Sequence, residues 1–224
     1  MYFYDDNNNK VFLMKNYDID RILKPAFKLF LMYNYESVST ARLEEETGLT
    51  RGAIFFKYKT KEALFKAVID KYVFDFKPGS LENEEISSLK DFIDTFLLGV
   101  EKRMNEMQLL GISNVHRGYF NLLYQAVKYY PSFSEKITDM FNKGLQVWVN
   151  IVSKAKDSGE INPTCDVYKT ALQFRCIYSG MAFENSLNQG LDVKELRELF
   201  YSFYNNLKSA TIIQYTIKGR FMSR

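Results

Sequence analysis

The stretch TARLEEETGLTRGAIFFKYKTKEAL, residues 40–64, decides how this chain folds. Its apolar spacing and its breakers read as a helix, a glycine turn, a short second helix and the start of a third. Leu43 and Thr47 share one face of the first helix, and Ser39 or Thr40 brings a hydroxyl to the orphan amides at its start. Gly48 permits the positive φ that reverses the chain. Thr50 is placed to cap the next helix. Ile54 and Tyr58, four residues apart, give that helix an apolar side to lay on the first. Arg51, Gly52, Phe55, Phe56 and Lys57 are left facing outward. From Arg51 to Lys61 the chain carries four cations, Arg51, Lys57, Lys59 and Lys61, and no acid, a local positive field suited to phosphates. The acids stand behind it at Glu44, Glu45 and Glu46. Adjacent aromatics cannot both lie on one helix face, so of Phe55 and Phe56 one is expected to pack and the other to be exposed.

In its order and density this stretch resembles the DNA-binding domain of TetR-family regulators, and the resemblance extends over residues 20–77. It rests on Gly48, Leu49, Thr50, Gly52, Ile54, Phe55, Lys57, Tyr58, Thr60, Lys61, Glu62 and Leu64. By position it implies that Thr40, Phe55, Lys57 and Lys61 meet phosphates, and that Arg51, Gly52 and Phe56 face base edges, with Thr50 at the start of the same helix. Three positions depart from the family pattern. Phe55 replaces a tyrosine and so lacks the hydroxyl that donates to phosphate, Glu44 replaces an alanine, and Asn34 replaces a glycine.

The charge balance agrees with a focused patch. The whole chain of 224 residues carries a formal net charge of only +3. Residues 15–77 hold 12 Lys and Arg against 9 Asp and Glu, and residues 78–224 hold 17 against 16. A basic nucleic-acid coat is thereby excluded, and any DNA affinity should be strongly salt dependent. Apolar content of 46% and aromatic content of 16% suit a folded globule, long enough for a small domain and a larger one with its own core.

Other chemistries find little material. Cys165, Cys176 and the single histidine, His116, match no zinc spacing, so no metal or cofactor is expected, and the cysteines read as free thiols. No Glu-x-x-His pair, Cys/His constellation or glycine-rich phosphate loop supports an enzyme. MYFYDDNNNK lacks the cations and apolar run of a secretory signal, and no stretch reaches the roughly 18 apolar residues of a membrane span. The expectation is a cytoplasmic protein without a membrane partner.

Along the chain, residues 1–14 read as an N-terminal extension of possible flexibility, with Met14 an alternative start, residues 15–62 as the helix-turn-helix domain, 63–217 as a helical domain and 218–224 as a tail. Helix 1 is expected over 20–33, with Pro25 either in its first turn or at a kink. The fourth helix is expected over 61–76, capped by Thr60, its free amides offered to a phosphate. Six more follow over 84–105, 108–117, 118–129, 132–156, 166–189 and 192–217, broken at Pro131, Gly159 to Pro163 and Gly190. The chain is therefore read as all-α, an N-terminal three-helix helix-turn-helix domain followed by a C-terminal helical bundle.

The resemblance assigns that bundle to ligand binding and dimerisation. Family members form homodimers through their last two long helices. Here the small residues Ala171, Ser179, Gly180 and Ala182 suit a close helix approach, and Leu196, Leu199, Phe200, Phe203, Tyr204 and Leu207 form a broad apolar face. A two-fold dimer implies a palindromic double-stranded DNA operator with half-sites one helical turn, or a multiple, apart. Candidates for a small-molecule effector pocket are Phe96, Met104, His116, Phe120, Tyr124, Trp148, Phe174 and Tyr178, mostly aromatic with few polar groups, and each of them also suits ordinary core. The function implied is a transcriptional regulator, more often a repressor in this family, released from its operator by the effector. The alternative is an effector-independent DNA-binding or interaction protein of the same fold.

Overall fold

The computed structural model describes residues 8–75 and 86–221, with side chains for residues 20–75 and 86–208. Among the described residues all regular structure is helical. The chain folds as two compact units, one made of residues 1–76 with 121–133, the other of 77–120 with 134–224.

In the first unit, α1 (Asn8–Met32) presents Ile22, Leu23, Ala26, Phe27 and Phe30 to the interior. It runs twelve residues further toward the N-terminus than the sequence pattern indicates, and Pro25 lies within it rather than in its first turn. An interior proline deletes one backbone donor at a cost of about 3 kcal/mol. Full burial of Phe27 and Phe30 on the same helix offsets that cost. Residues 1–7 of the expected N-terminal extension lie outside the described residues. A short 3-10 turn, Tyr35–Ser37, leads into α2 (Thr40–Thr47), α3 (Arg51–Tyr58) and α4 (Lys61–Ile69), which continues as a wider π turn over Asp70–Phe74. Phe30 meets Phe65 edge to face at 4.8 Å, Phe27 stacks on Tyr72 at 4.2 Å, and Leu43, Ile54, Leu64 and Val68 fill the space between the helices.

The division after residue 62 expected from the sequence puts α4 with the C-terminal domain. In the structure α4 belongs to the first unit, as do residues 121–133, because Phe65, Val68 and Ile69 of α4 bury against α1. Within residues 121–133, Tyr129 stacks on Tyr35 at 4.0 Å and Tyr130 meets Phe74 at 6.0 Å.

The second unit contains α5 (Leu89–Gln108), the first part of α6 (Val115–Tyr129), α7 (Phe133–Asp157), α8 (Val167–Ser186) and α9 (Val193–Phe221). Two expected helices, 108–117 and 118–129, are in fact a turn and one helix. Gly111 takes φ 83°, ending α5, and the Asn114 side chain accepts from the Arg117 amide, so that α6 begins at Val115 and carries Gly118 inside it. Asn114 and Arg117 also donate to the end of α8, Asn114 Nδ2 to the Ser186 carbonyl at 3.1 Å and Arg117 Nε to the same oxygen at 2.8 Å. Glu160 caps the other end of the unit, accepting from the Leu89 and Lys90 amides at 2.9 and 3.0 Å and from the Tyr204 hydroxyl at 2.7 Å. Burial and this carboxylate raise the Tyr204 phenol well above its ordinary range.

The core of this unit is aromatic. Trp148 stacks on Phe174 at 5.0 Å, and Phe92, Phe96 and Phe200 close around them. This corrects the expectation for the last helix. Leu196, Phe200 and Tyr204 are spent on the chain's own core, Phe203 and Leu207 are half-buried against it, and Leu199 alone of that face is exposed. Exposed apolar side chains stand at the end of α8, on Phe183 and the capping residue Leu187, with Gly180 open beside them, and on α7 at Phe141 and Val147.

Candidate nucleic-acid interface

The geometry of α2 and α3 follows from five local bonds. Ser39 Oγ accepts from the Arg42 amide at 3.3 Å, identifying Ser39 rather than Thr40 as the cap of α2. Gly48 ends α2 at φ 66°, its amide bonded to the Glu44 carbonyl at 2.9 Å. Thr47 Oγ1 donates back to the Leu43 carbonyl at 2.6 Å and accepts from the Leu49 amide at 3.2 Å, which tightens the turn. Thr50 Oγ1 accepts from the Ala53 amide at 3.4 Å and starts α3.

A sixth bond has no counterpart in the local pattern. Glu44 Oε1 accepts from the Arg51 amide at 2.7 Å, so the residue that stands where the family has alanine is a second cap of α3. A carboxylate at a helix N-terminus is favourable to the dipole.

At the far end of α3, Lys59 adopts φ 61°, a left-handed conformation for a side-chain-bearing residue, with its amide on the Phe55 carbonyl at 2.9 Å. This sharp corner starts α4, where Thr60 Oγ1 accepts from the Ala63 amide at 3.1 Å. The same corner places Lys59 Nζ 5.0 Å above the Phe56 ring.

Of the DNA-facing candidates, Thr50, Arg51, Gly52, Phe56 and Lys57 are exposed, and Thr40, Phe55 and Lys61 are half-buried. Phe55 and Phe56 divide as their adjacency requires, with Phe56 80% exposed. A groove of about 390 Å³ runs beside α3, lined by Ile22, Leu49, Ala53, Phe56 and Lys57.

Lys61 has a different use from its exposed neighbours. Its ammonium donates to the Tyr35 carbonyl at 2.8 Å and the Val38 carbonyl at 3.2 Å, and lies 4.2 Å from the centre of the Tyr35 ring. Desolvation lowers its pKa, opposed by the nearby Glu36. Lys61 thus ties α4 to the turn before α2. No feature of its sequence neighbourhood announces this, because both acceptors are backbone carbonyls more than twenty residues away.

The effector-pocket candidates separate into groups. Phe96, Trp148, Phe174 and Tyr178 come together, with Phe96 5.3 Å from both the Trp148 and Tyr178 rings, and Met104 packs half-buried against that core. His116 is 7% exposed and joins them through Tyr178, whose hydroxyl lies 3.5 Å from Nε2, while Nδ1 is buried without a hydrogen-bond partner. Desolvation lowers the His116 pKa and pushes Tyr178 up to about 12. Phe120 pairs with Phe183 at 5.8 Å, apart from this cluster, and Tyr124 is 66% exposed and belongs to the first unit. Among the described residues no group of His, Cys, Asp and Glu is arranged to hold a metal, and no helix is long and apolar enough to cross a membrane.

A glycine turn between two short capped helices, with a cationic outer edge, defines a helix-turn-helix DNA-binding regulator. Residues 22–68 match the family described as bacterial regulatory proteins, tetR family, and this segment is a helix-turn-helix domain of that type. It is 26% identical over 193 residues to the HTH-type transcriptional repressor ComR of Escherichia coli strain K12, covering 83% of this chain and 86% of ComR. Over 47 residues, 21% of this chain, it is 47% identical to the HTH-type transcriptional repressor AcnR of Corynebacterium glutamicum, covering 25% of AcnR. Among solved structures, a TetR-family transcriptional regulator from Agrobacterium tumefaciens shares the fold with a TM-score of 0.62 at 16% identity, covering 86% of this chain and 98% of that one.

Proposed function

We propose that this protein is a dimeric repressor that binds a palindromic operator and is released by a small molecule held in its C-terminal unit. The observation that carries the reading is α3 itself, an exposed helix bearing Arg51 and Lys57 and followed by Lys59, with no acid from Arg51 to Lys61. Lys57, Lys59 and the N-terminus of α4 would hold phosphates, and Arg51 is the side chain able to make a bidentate contact with a guanine. Lys61 acts indirectly here, by fixing where α4 starts. The names of ComR and AcnR, both repressors, favour repression over activation.

Pairing through α8 is supported by the exposed Phe183 and Leu187 at its end and by Gly180 beside them, where no heavy atom lies within 4 Å of an added Cβ. An effector is supported by His116, whose unpartnered Nδ1 sits among aromatic rings where an unmade hydrogen bond is costly. A ring-bearing molecule of low polarity suits that surrounding.

In vitro selection from a random duplex library, with light scattering of the protein and its complex, tests the reading. A two-fold symmetric selected site bound by two chains is the expected result. An asymmetric site bound by one chain would contradict it.

A further inference from the structure

The outward surface of α3 contains a part that carries no hydrogen-bonding side chain. Gly52, Ala53 and Phe56 stand at i, i+1 and i+4, all exposed, so they lie close together on one side of the helix. An added Cβ at Gly52 would find only the Thr50 hydroxyl, at 4.0 Å, so the backbone there is open to close approach. Phe56 is 80% exposed on a short helix that already has Ile54 for its core contact. Leaving a phenyl ring in water forgoes the transfer free energy that burial would return. Lys59 Nζ stands 5.0 Å over the ring, and Ile22, Leu49 and Ala53 line the groove beside it. Cations flank the apolar patch at Arg51, Lys57 and Lys59, as needed to seat it against a polyanion.

A surface with no donor or acceptor side chain cannot read the hydrogen-bonding edges of bases. In the major groove of unmodified DNA, the apolar group available to it is the C5-methyl of thymine. We propose that Phe56 and Ala53 read thymine methyl groups, so that each operator half-site carries thymine at the one or two base pairs beneath them. This rests on the DNA-binding reading above and adds to it the chemistry that sets sequence preference. Arg51, the first residue of the same helix, supplies the hydrogen-bonded contact, and the apolar pair discriminates T from C at its neighbours. The same methyl group is present on 5-methylcytosine, so that base at the same positions should substitute for thymine in part.

The test uses the full chain and a duplex obtained by in vitro selection. Each thymine is replaced singly by deoxyuridine, which removes the methyl and leaves base pairing intact, and affinity is read by fluorescence anisotropy. One or two positions per half-site should weaken binding about fourfold, the fold-change of one buried methyl. Phe56→Ala should narrow the difference between thymine and deoxyuridine duplexes to the part that Ala53 reads, whereas Phe56→Leu should keep most of it. Placing 5-methylcytosine there should bind more tightly than cytosine. The proposal is overturned if every deoxyuridine duplex binds within the error of the parent, or if the loss persists undiminished in Phe56→Ala. Failure to select any duplex would instead remove the DNA-binding reading itself, and the proposal with it.

Discussion

Tyr129 lies nearly parallel to Tyr35, with ring centroids 4.0 Å apart, so the end of α6 is stacked on the turn that leads into α2. The contact is reinforced around its edge. The Tyr129 hydroxyl donates to Glu36, Lys128 pairs with the same carboxylate at 3.0 Å, and Gln125 accepts from the Tyr35 amide. Burial first, then the nearby Glu62, Tyr129 and Glu36, push the Tyr35 phenol up to about 12.

Removing the stacked ring should loosen the DNA-binding unit. Tyr129→Ala is expected to cost about 1–2 kcal/mol, most of it from the aromatic pair and its buried area. Urea unfolding followed by tyrosine fluorescence checks this, and a loss below about 0.5 kcal/mol would show that the stack is incidental.

Glu36 offers a titration readout of the same contact. Its carboxyl is held at about 2, chiefly by the Tyr129 hydroxyl, then by its own backbone amide and Lys128. A depressed carboxylate pKa means that its contribution is present above the unfolded value near 4.5 and disappears as pH falls from there toward 2. In Tyr129→Phe the largest cause is gone, so the Glu36 carboxyl signal in NMR should titrate distinctly closer to 4.5.

Lys61 and Lys57 should separate structure from DNA contact. Lys61→Met removes two charge-assisted bonds to backbone carbonyls and should destabilise by about 1–2 kcal/mol, leaving the salt dependence of DNA binding unchanged. Lys57→Ala, at an exposed position, should leave stability within about 0.5 kcal/mol and lower the slope of log affinity against log salt by about 1. The opposite assignment of these two effects would show that Lys61 is a phosphate ligand after all.

His116 should leave its mark on the pH dependence of stability. Its folded pKa is lowered by desolvation, so as pH falls through 6.5 the unfolded chain takes up the proton first and stability declines toward the folded pKa. It is the only histidine, so His116→Leu should flatten the stability curve as pH falls below 6.5 and raise stability at the acid end. The unpartnered Nδ1 adds to the gain. Thermal unfolding across that range is the measurement, and an unchanged slope would place the titrating group elsewhere.

Gly180 tests the proposed pairing face. An arginine there meets open space in the single chain, so Gly180→Arg should fold normally while putting a charge beside the exposed apolar side chains of α8. Light scattering should then report a monomer with an unchanged helical spectrum. A persistent dimer would move the interface off α8.

What is legible in the sequence is local. Gly48, Thr50 and Thr60 do what their residue types prescribe because each acts within three or four residues of itself. Phe55 and Phe56 divide for the same reason. The Glu44 cap of α3 is not legible, because it reaches seven residues forward from within another helix, and Lys61 reads as a phosphate contact because its carbonyl partners are remote. Residues 121–133 pack with the first unit through Tyr129 and Tyr130, aromatics that read equally well as the core of either unit. The apolar face of α9 reads as an interface for a similar reason, since helical spacing marks a buried face without saying which partner buries it.

Sequence-dependent DNA binding by α3 turns on Arg51, the exposed cation at its start. Anisotropy titrations of the wild-type chain and Arg51→Ala against a selected duplex and its scrambled counterpart, at several salt concentrations, give affinity, specificity and salt slope together. Steeply salt-dependent binding and a preference for the selected site of about a hundredfold or more are expected. Arg51→Ala should lose about 1–3 kcal/mol, mainly on the selected site. Equal affinity for both duplexes, or binding indifferent to salt and to Arg51, would contradict sequence-dependent binding by α3.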